Sequence, residues 1–242
     1  MPVVLSRLAF LLALISAVVA ILAGFGSRAG WWHFRTGFQL LTWAAYGGAG
    51  SALIGFIGCL AAYYRAQWRG ALPALAGLVI GLVVFGIPWH MKRVAQQVPP
   101  IHDITTDTDD PPRFAEVLPL RKDATNPADY GGLEIAAQQH AAYPDIQPLT
   151  LPIPSQQAFT QALHSAEAMG WTIVAANPAD GRIEATDTTF WFGFKDDIVI
   201  RIQARGDGSR VDVRSVSRVG RSDVGTNAQR IRVYSSRLSR AG

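Results

Sequence analysis

The sequence has a single cysteine, Cys59, so it can form no intrachain disulfide and no cluster of cysteine ligands around a metal. Acidic residues are missing from the first 95 positions, which contain seven Lys or Arg and no Asp or Glu. The acids begin in residues 96–150, where nine of them accompany three basic residues, and residues 151–242 contain twelve basic and nine acidic residues. These features exclude a disulfide scaffold, a zinc ribbon and a wholly soluble enzyme. The net charge of +4 gives little support to a nucleic-acid partner, and we expect none.

Three long uncharged runs fill the first 95 residues and predict a transmembrane region with spans at about 8–27, 37–64 and 70–89. An apolar helix needs about 20 residues to cross the hydrocarbon core of a bilayer. Trp and Tyr residues cluster at the ends of the runs, as they do at membrane interfaces. The first run has an alternative interpretation as a cleaved signal peptide, because Arg7 precedes it and small residues lie around Ala20–Gly26.

Small residues recur at four-residue spacing in the second run, at Gly47, Ser51 and Gly55, and this pattern predicts close packing between helices. No Asp, Glu or Lys lies within a predicted span, so we expect no ion path or transport site. Basic residues near the span ends divide three against four between the two sides of the membrane. This near balance favours neither orientation.

The rest of the chain divides into a linker and a small domain. Ten prolines in residues 96–154 predict an extended linker packing on the domain, with one or two helical turns around Leu133–Ala142. Residues 155–242 predict the core of an α+β domain, an antiparallel sheet with helices on one face. One helix is expected to begin at Ser155, and a second helix is expected to cover about Asp223–Leu238. The expected strands include Trp171–Ala176, Arg182–Thr188, Phe190–Phe194 and Asp197–Arg205.

A hairpin is the clearest local pattern in the domain. With Asp207 and Gly208 as its two turn residues, position 205 is predicted to face 210, 203 to face 212 and 201 to face 214. One face is then aliphatic and is expected to meet the helices; its residues are Ile198, Ile200, Ile202, Val211 and Val213. The other face is expected to be open to solvent, and it carries Arg201, Arg205, Arg210 and Arg214.

The loop from Ser217 to Asn227 is the main candidate for a binding site. Backbone N–H groups at a helix N-terminus attract anions, and arginines nearby can add charge-assisted hydrogen bonds. The predicted anion-binding residues are Arg214, Ser217, Arg218, Arg221, Ser222, Asp223, Asn227 and Arg230. A structural interpretation competes with this one, since Ser222 or Asp223 can cap the helix and Asp223 can pair with an arginine.

Other chemistry has weaker support in the sequence. Asp103, Asp107, Asp109 and Asp110 could collect around a cation, but their spacing matches no EF-hand loop. The five histidines form no HExxH motif, and no GxSxG or phosphate-binding motif is present. Asp196 and Asp197, adjacent in the sequence, are expected to point to opposite strand faces or to form a turn, so they are not a convincing carboxylate pair. We therefore predict no metal, no cofactor and no catalytic residues.

Two segments together resemble the family called domain of unknown function 1499, which occurs in bacteria and plastids. They are IHDITTDTDDPPRF and DDIVIRIQARGDGSRVDVRSVSRVGRSDVGTNAQRIRVYSSRL, and the resemblance extends from about Pro100 to Leu238. The family implies no established activity. Many of its members are exported or lipid-anchored, which implies a periplasmic location for this domain. The three apparent spans depart from that pattern.

These observations together predict a membrane-anchored accessory protein, with the bilayer and an anionic lipid or an envelope protein as partners. We expect a multi-pass protein of the inner membrane whose α+β domain is periplasmic. The alternative is an unusual envelope hydrolase or transferase that acts through Asp223, Asn227 and the neighbouring arginines.

Overall fold

The structure is a computed structural model that describes residues 2–65 and 68–241. The chain forms two compact units. The first runs to Val94 and also includes the short segment Phe190–Gly193. The second comprises Ala95–Thr189 and the chain from Phe194 onward.

Three long helices make up most of the first unit. They are α1 (Pro2–Arg28), α2 (Phe34–Tyr64) and α3 (Ala71–Gln97), with a short 3₁₀ turn at Trp68–Gly70 before α3. All three are long and apolar enough to cross a membrane. Three long apolar helices were expected from the uncharged runs, and this expectation is confirmed.

Small residues allow the three helices to approach closely. The Ser51 hydroxyl of α2 lies 2.8 Å from the Ala9 carbonyl oxygen of α1 and 2.9 Å from the Gly77 carbonyl oxygen of α3. A Cβ atom on Gly55 would lie only 2.6 Å from the Ala74 carbonyl oxygen, so a larger residue does not fit there. The small-residue stripe predicted from the sequence therefore packs the helices together.

The second unit is an α+β domain built on a six-stranded antiparallel sheet. Its strands are β1 (Asp103–Thr105), β2 (Leu149–Leu151), β3 (Thr172–Asn177), β4 (Arg182–Thr188), β5 (Lys195–Arg205) and β6 (Gly208–Ser217). The strands are ordered β1-β6-β5-β4-β3, and β2 also pairs with β6. Its helices are α4 (Gly132–Ala142), α5 (Ser155–Ala168) and α6 (Thr226–Ala241). The proline-rich segment thus contributes β1, α4 and β2 to the domain.

The β5–β6 hairpin has the predicted faces but not the predicted register. Arg205 pairs with Gly208, so that Gln203 lies opposite Arg210 and Arg201 lies opposite Asp212. The predicted pairing was therefore wrong by two residues. Gly206 has a φ of +59° and occupies the first turn position, which a glycine fills without strain. A shift of two residues leaves every side chain on its predicted face.

The main hydrophobic core lies between one face of the sheet and the helices α5 and α6. The five aliphatic residues predicted for this face are all buried in the core. Tyr234 of α6 stacks on Trp171 at 5.1 Å between ring centroids, and its hydroxyl donates to the Ala162 carbonyl oxygen of α5. We call this side of the sheet the helix face.

The opposite face of the sheet is covered by residues 107–130, which we call the strap; the side it covers is the strap face. The Glu184 carboxylate accepts hydrogen bonds from the backbone N–H groups of Ala115, Glu116 and Val117, and it anchors the strap to β4. A small second cluster lies underneath and contains Phe114, Val117, Val199 and Val216. The sequence predicted that this face is open to solvent, which is wrong for Arg214, because only 2% of that residue is exposed.

One predicted strand is absent from the described part of the chain. Residues Phe190–Phe194 form a turn between β4 and β5 instead. Gly193 has a φ of +69°, and the Thr189 N–H donates to the Phe194 carbonyl oxygen. The aromatic residues that suggested a strand therefore lie in a turn that reverses the chain.

Candidate functional site

The predicted site residues are divided between the two faces of the sheet. Arg214 and Arg218 point to the strap face, because they alternate with residues that face the helices. Ser217, Asn227 and Arg230 contact one another on the helix face. The structure therefore does not gather the eight residues around one point.

Arg214 is buried in the strap face by an ion pair and two aromatic rings. Its Nε and Nη2 atoms donate to the Asp103 carboxylate at 2.9 and 2.7 Å. The remaining bonds go to the carbonyl oxygens of Pro112 and Ala128. Its guanidinium lies 5.3 Å from the centroid of Phe114 and 5.5 Å from that of Tyr130. Burial and the charge of Asp103 raise the pKa of Tyr130 to about 12, although the charge of Arg214 acts in the opposite direction.

Arg218 shares the carboxylate of Asp197 with a second arginine. Its Nε and Nη2 atoms donate to Asp197 at 2.9 and 2.8 Å, and its Nη1 atom donates to the Leu120 carbonyl oxygen. Arg121 reaches the same carboxylate from the strap at 2.5 Å. Asp197 is fully buried, so the two guanidinium groups are held by one internal charge.

Arg230 lies at the centre of a polar network on the helix face. It pairs with Asp196 at 2.6 Å and with Asp187 at 2.9 Å, and it also donates to Ser215 and Asn227. The Asn227 amide nitrogen donates to the Ser217 hydroxyl and to the His102 carbonyl oxygen. These groups satisfy one another inside the domain.

Asp223 caps the start of α6. Its carboxylate accepts hydrogen bonds from the backbone N–H groups of Gly225 at 2.9 Å and Asn227 at 2.7 Å. Burial raises the pKa of Asp223, although these two hydrogen bonds lower it. The Ser222 hydroxyl accepts from the Val224 N–H and donates to the Pro99 carbonyl oxygen. Both side chains thus hold the loop in the way that the structural interpretation requires.

Arg221 differs from the other arginines of the set. Its side chain is exposed, and its guanidinium has no hydrogen bond or ion pair within residues 2–65 and 68–241, although its carbonyl oxygen contacts the His102 ring. Of the four predicted arginines in the loop region, it is the one with a guanidinium that is free to meet a ligand.

The aspartates at the start of the domain bind arginines. Asp103 pairs with Arg214, and Asp107 pairs with Arg201 and Arg210 at 3.0 and 2.6 Å. Among the residues that the structure describes, no group of three His, Cys, Asp or Glu side chains is placed to hold a metal ion. Asp196 and Asp197 point to opposite faces, as the strand alternation predicts, since one pairs with Arg230 and the other with Arg121.

Sequence reasoning missed a basic surface on the outer side of α6. Arg237 and Arg240 are exposed there, and Arg232 lies beside them in an ion pair with Asp145 at 2.6 Å. Hydrogen bonding to Arg232 lowers the pKa of Asp145. The sequence contains a signal for this basic surface, because the helix Thr226–Ala241 has four arginines and no Asp or Glu.

A family model described as "Protein of unknown function (DUF1499)" matches residues 103–238. The matched segment begins with β1 and extends into the last turn of α6, so it covers the α+β domain. No curated protein shows a significant match to the chain.

Proposed function

The chain belongs to the DUF1499 family of unknown function, and on that premise we propose that it is a membrane-anchored accessory protein whose α+β domain binds anionic lipid headgroups. The observation that carries this proposal is the basic outer face of α6. An arginine near an anionic membrane surface gains about 1 kcal/mol of binding free energy. The three apolar helices of the same chain would keep the domain close to such a surface.

The outer face of α6 has the chemistry that anionic headgroups require. A shallow surface cavity of about 600 Å³ lies on this face and has no carboxylate among its lining residues, which are Gln229, Arg232, Val233, Ser236, Arg237 and Arg240. Arg237 and Arg240 are free of carboxylate partners in the part of the chain that the structure describes. Val233 is 45% exposed and adds an apolar contact between the arginines. Cationic and apolar groups together are typical of surfaces that bind at the membrane interface.

The loop from Ser217 to Asn227 supports this proposal less well. Arg214, Arg218 and Arg230 are each held by buried or partly buried carboxylates, so an incoming anion would have to displace those partners. Arg221 alone is free. We therefore place the proposed anion-binding surface on α6. Binding of the anion at the loop is the alternative that the experiment below distinguishes.

The alternative function, an envelope hydrolase or transferase, would require Asp223, Asn227 and the arginines to converge on a substrate. The carboxylate of Asp223 accepts the backbone N–H groups of Gly225, just before α6, and of Asn227 in its first turn. The side-chain amide of Asn227 is hydrogen-bonded at both its oxygen and its nitrogen. A general acid or base must reach the proton that it transfers. This geometry favours a helix cap over catalysis.

The full-length protein can test the lipid proposal in nanodiscs. With Cys59→Ser and Gln229→Cys, a polarity-sensitive dye is attached beside Arg232 on the outer face of α6. We expect its emission to shift to the blue in discs of phosphatidylcholine with phosphatidylglycerol, and not in discs of phosphatidylcholine alone. High salt and the double variant Arg237→Gln/Arg240→Gln should both abolish the shift, because salt screens exposed charges.

The control for this experiment removes two exposed charges elsewhere, with Lys122→Gln/Arg205→Gln, and should leave the shift intact. An equal shift in both kinds of disc, or one that survives Arg237→Gln/Arg240→Gln, would contradict the proposal. Loss of the shift in Arg221→Gln alone would instead assign the anion site to the loop.

We also propose that the protein lies in the inner membrane with its N-terminus in the cytoplasm and the α+β domain in the periplasm. The support for this orientation is that many members of the family are exported. The basic residues near the spans are balanced and favour neither orientation. A C-terminal alkaline phosphatase fusion should be active, and a C-terminal fluorescent-protein fusion that folds only in the cytoplasm should be dark. The reverse pattern would place the domain in the cytoplasm.

A further inference from the structure

A cleft of about 420 Å³ opens on the strap face, between the beginning and the end of the strap. Its volume falls in the range of about 300–1,000 Å³ that is typical of small-molecule sites. The residues that matter for the chemistry of a ligand are the apolar Pro111, Phe114 and Leu118 and the acidic Asp109, Asp110 and Asp129. The cleft and the basic surface of α6 have no lining residue in common, so a ligand in the cleft is independent of the proposed lipid binding.

The arginine on the floor of the cleft is not available to an anion. The charge of Arg214 is balanced by Asp103 in a two-point ion pair, and Nη1 and Nη2 also donate to backbone carbonyl oxygens. Phe114 and Tyr130 cover the guanidinium with their rings. An anion in the cleft would therefore gain little from Arg214.

The rim of the cleft has an excess of negative charge. Asp109 and Asp129 are exposed, and no ion pair holds either carboxylate within residues 2–65 and 68–241. Asp110 pairs with Arg201 at 2.7 Å but is 72% exposed at its side chain. Arg113 is the remaining charged residue of the lining, and it offsets one of the three carboxylates. The net negative charge that remains at the rim attracts cations.

The walls provide an apolar surface next to these carboxylates. Leu118 is 45% exposed and lies in the lining with Pro111 and Phe114. An apolar wall with a few charged groups at the opening suits a ligand that has an aliphatic stem and a cationic end.

We propose that this cleft binds a small organic cation, an amine carried on an apolar stem. The ammonium group lies between the carboxylates of the rim, and the stem packs against Leu118 and Phe114. The buried Arg214–Asp103 pair forms the floor and takes no direct part in binding the charge.

Calorimetric titration of spermidine into the full-length protein, held in nanodiscs of phosphatidylcholine alone, tests this inference. The lipid is zwitterionic, so the polyamine has no anionic lipid to bind. We expect saturable binding, and the double variant Asp109→Asn/Asp129→Asn should weaken it about tenfold or more. Leu118→Arg should also weaken binding, because it places a positive charge on the apolar wall.

The matched control is Glu116→Gln/Asp123→Asn, which removes two exposed strap carboxylates outside the cleft and should bind spermidine like the wild type. Equal weakening in both double variants would show a diffuse charge effect and overturn the site, and so would the absence of binding. Melting temperatures close to that of the wild type confirm that the variants are folded. Arg237→Gln/Arg240→Gln should bind spermidine normally, so failure of the lipid proposal and failure of this inference are distinguishable.

Discussion

Replacing Arg214 by alanine is expected to lower the free energy of unfolding of the α+β domain by about 3–5 kcal/mol. Arg214 is 2% exposed and Asp103 is 4% exposed, so the carboxylate left behind would be buried without a counter-charge. The carbonyl oxygens of Pro112 and Ala128 would lose their donor as well. A buried polar group without a partner costs about 1–3 kcal/mol, which places the expected loss toward the upper end of the range.

Pulse proteolysis of the full-length protein across a urea series measures this loss in detergent micelles. The double variant Asp103→Asn/Arg214→Met should recover part of the lost stability, because it removes both charges of the pair together. Arg214→Lys keeps the charge but cannot form the two-point contact, so an intermediate loss is expected. A loss of less than about 1 kcal/mol in Arg214→Ala would mean that the pair behaves like one exposed to solvent.

The alternation of side chains in β5 and β6 was enough to predict the two faces of the sheet. Ile200 and Val213 are buried against the helices, and Arg201 and Arg210 share the opposite face, as the period of two requires. The exact pairing was not predicted, because both Gly206 and Gly208 are compatible with a two-residue turn. The positive φ of Gly206 decides between them, and nothing in the sequence pattern shows which glycine adopts it.

The covering of the strap face could not be predicted from local patterns. A row of arginines on one face of a hairpin is typical of a surface exposed to solvent. Here Asp103 reaches Arg214 across 111 positions of sequence, and Asp107 reaches Arg210 across 103. Proline-rich segments lack a periodicity that would indicate which surface they cover, so the strap was expected to pack on the domain without a specified face.

The candidate site could also not be decided from a local pattern. The loop before α6 combines glycines, a helix start and arginines, and this combination fits both an anion site and a capped turn. Asp223 accepts the N–H groups of Gly225, just before the helix, and of Asn227 in its first turn, which agrees with the structural interpretation. The choice between an anion site and a capped turn depends on whether the arginines have partners inside the domain. Those partners include Asp196 and Asp197, which are far from the loop in the sequence, so a local pattern does not predict the ion pairs.

Asp197→Asn is expected to lower the free energy of unfolding by about 3–5 kcal/mol, a loss comparable to that of Arg214→Ala. Asp197 is fully buried, and it is the carboxylate that both Arg121 and Arg218 contact. The neutral amide would leave two guanidinium groups close together without a counter-charge. Thr186 would retain a partner, because the amide oxygen can still accept from its hydroxyl.

The two arginines provide an internal comparison for this prediction. Arg121→Met or Arg218→Met leaves the other arginine paired with Asp197, so each single change should cost less than Asp197→Asn in the same urea series. Asp207→Asn, on the exposed turn of the hairpin, is the matched control and should change the stability by less than about 0.5 kcal/mol. If Asp197→Asn were no more destabilising than either methionine variant, the shared carboxylate could not be what holds both arginines beneath the strap.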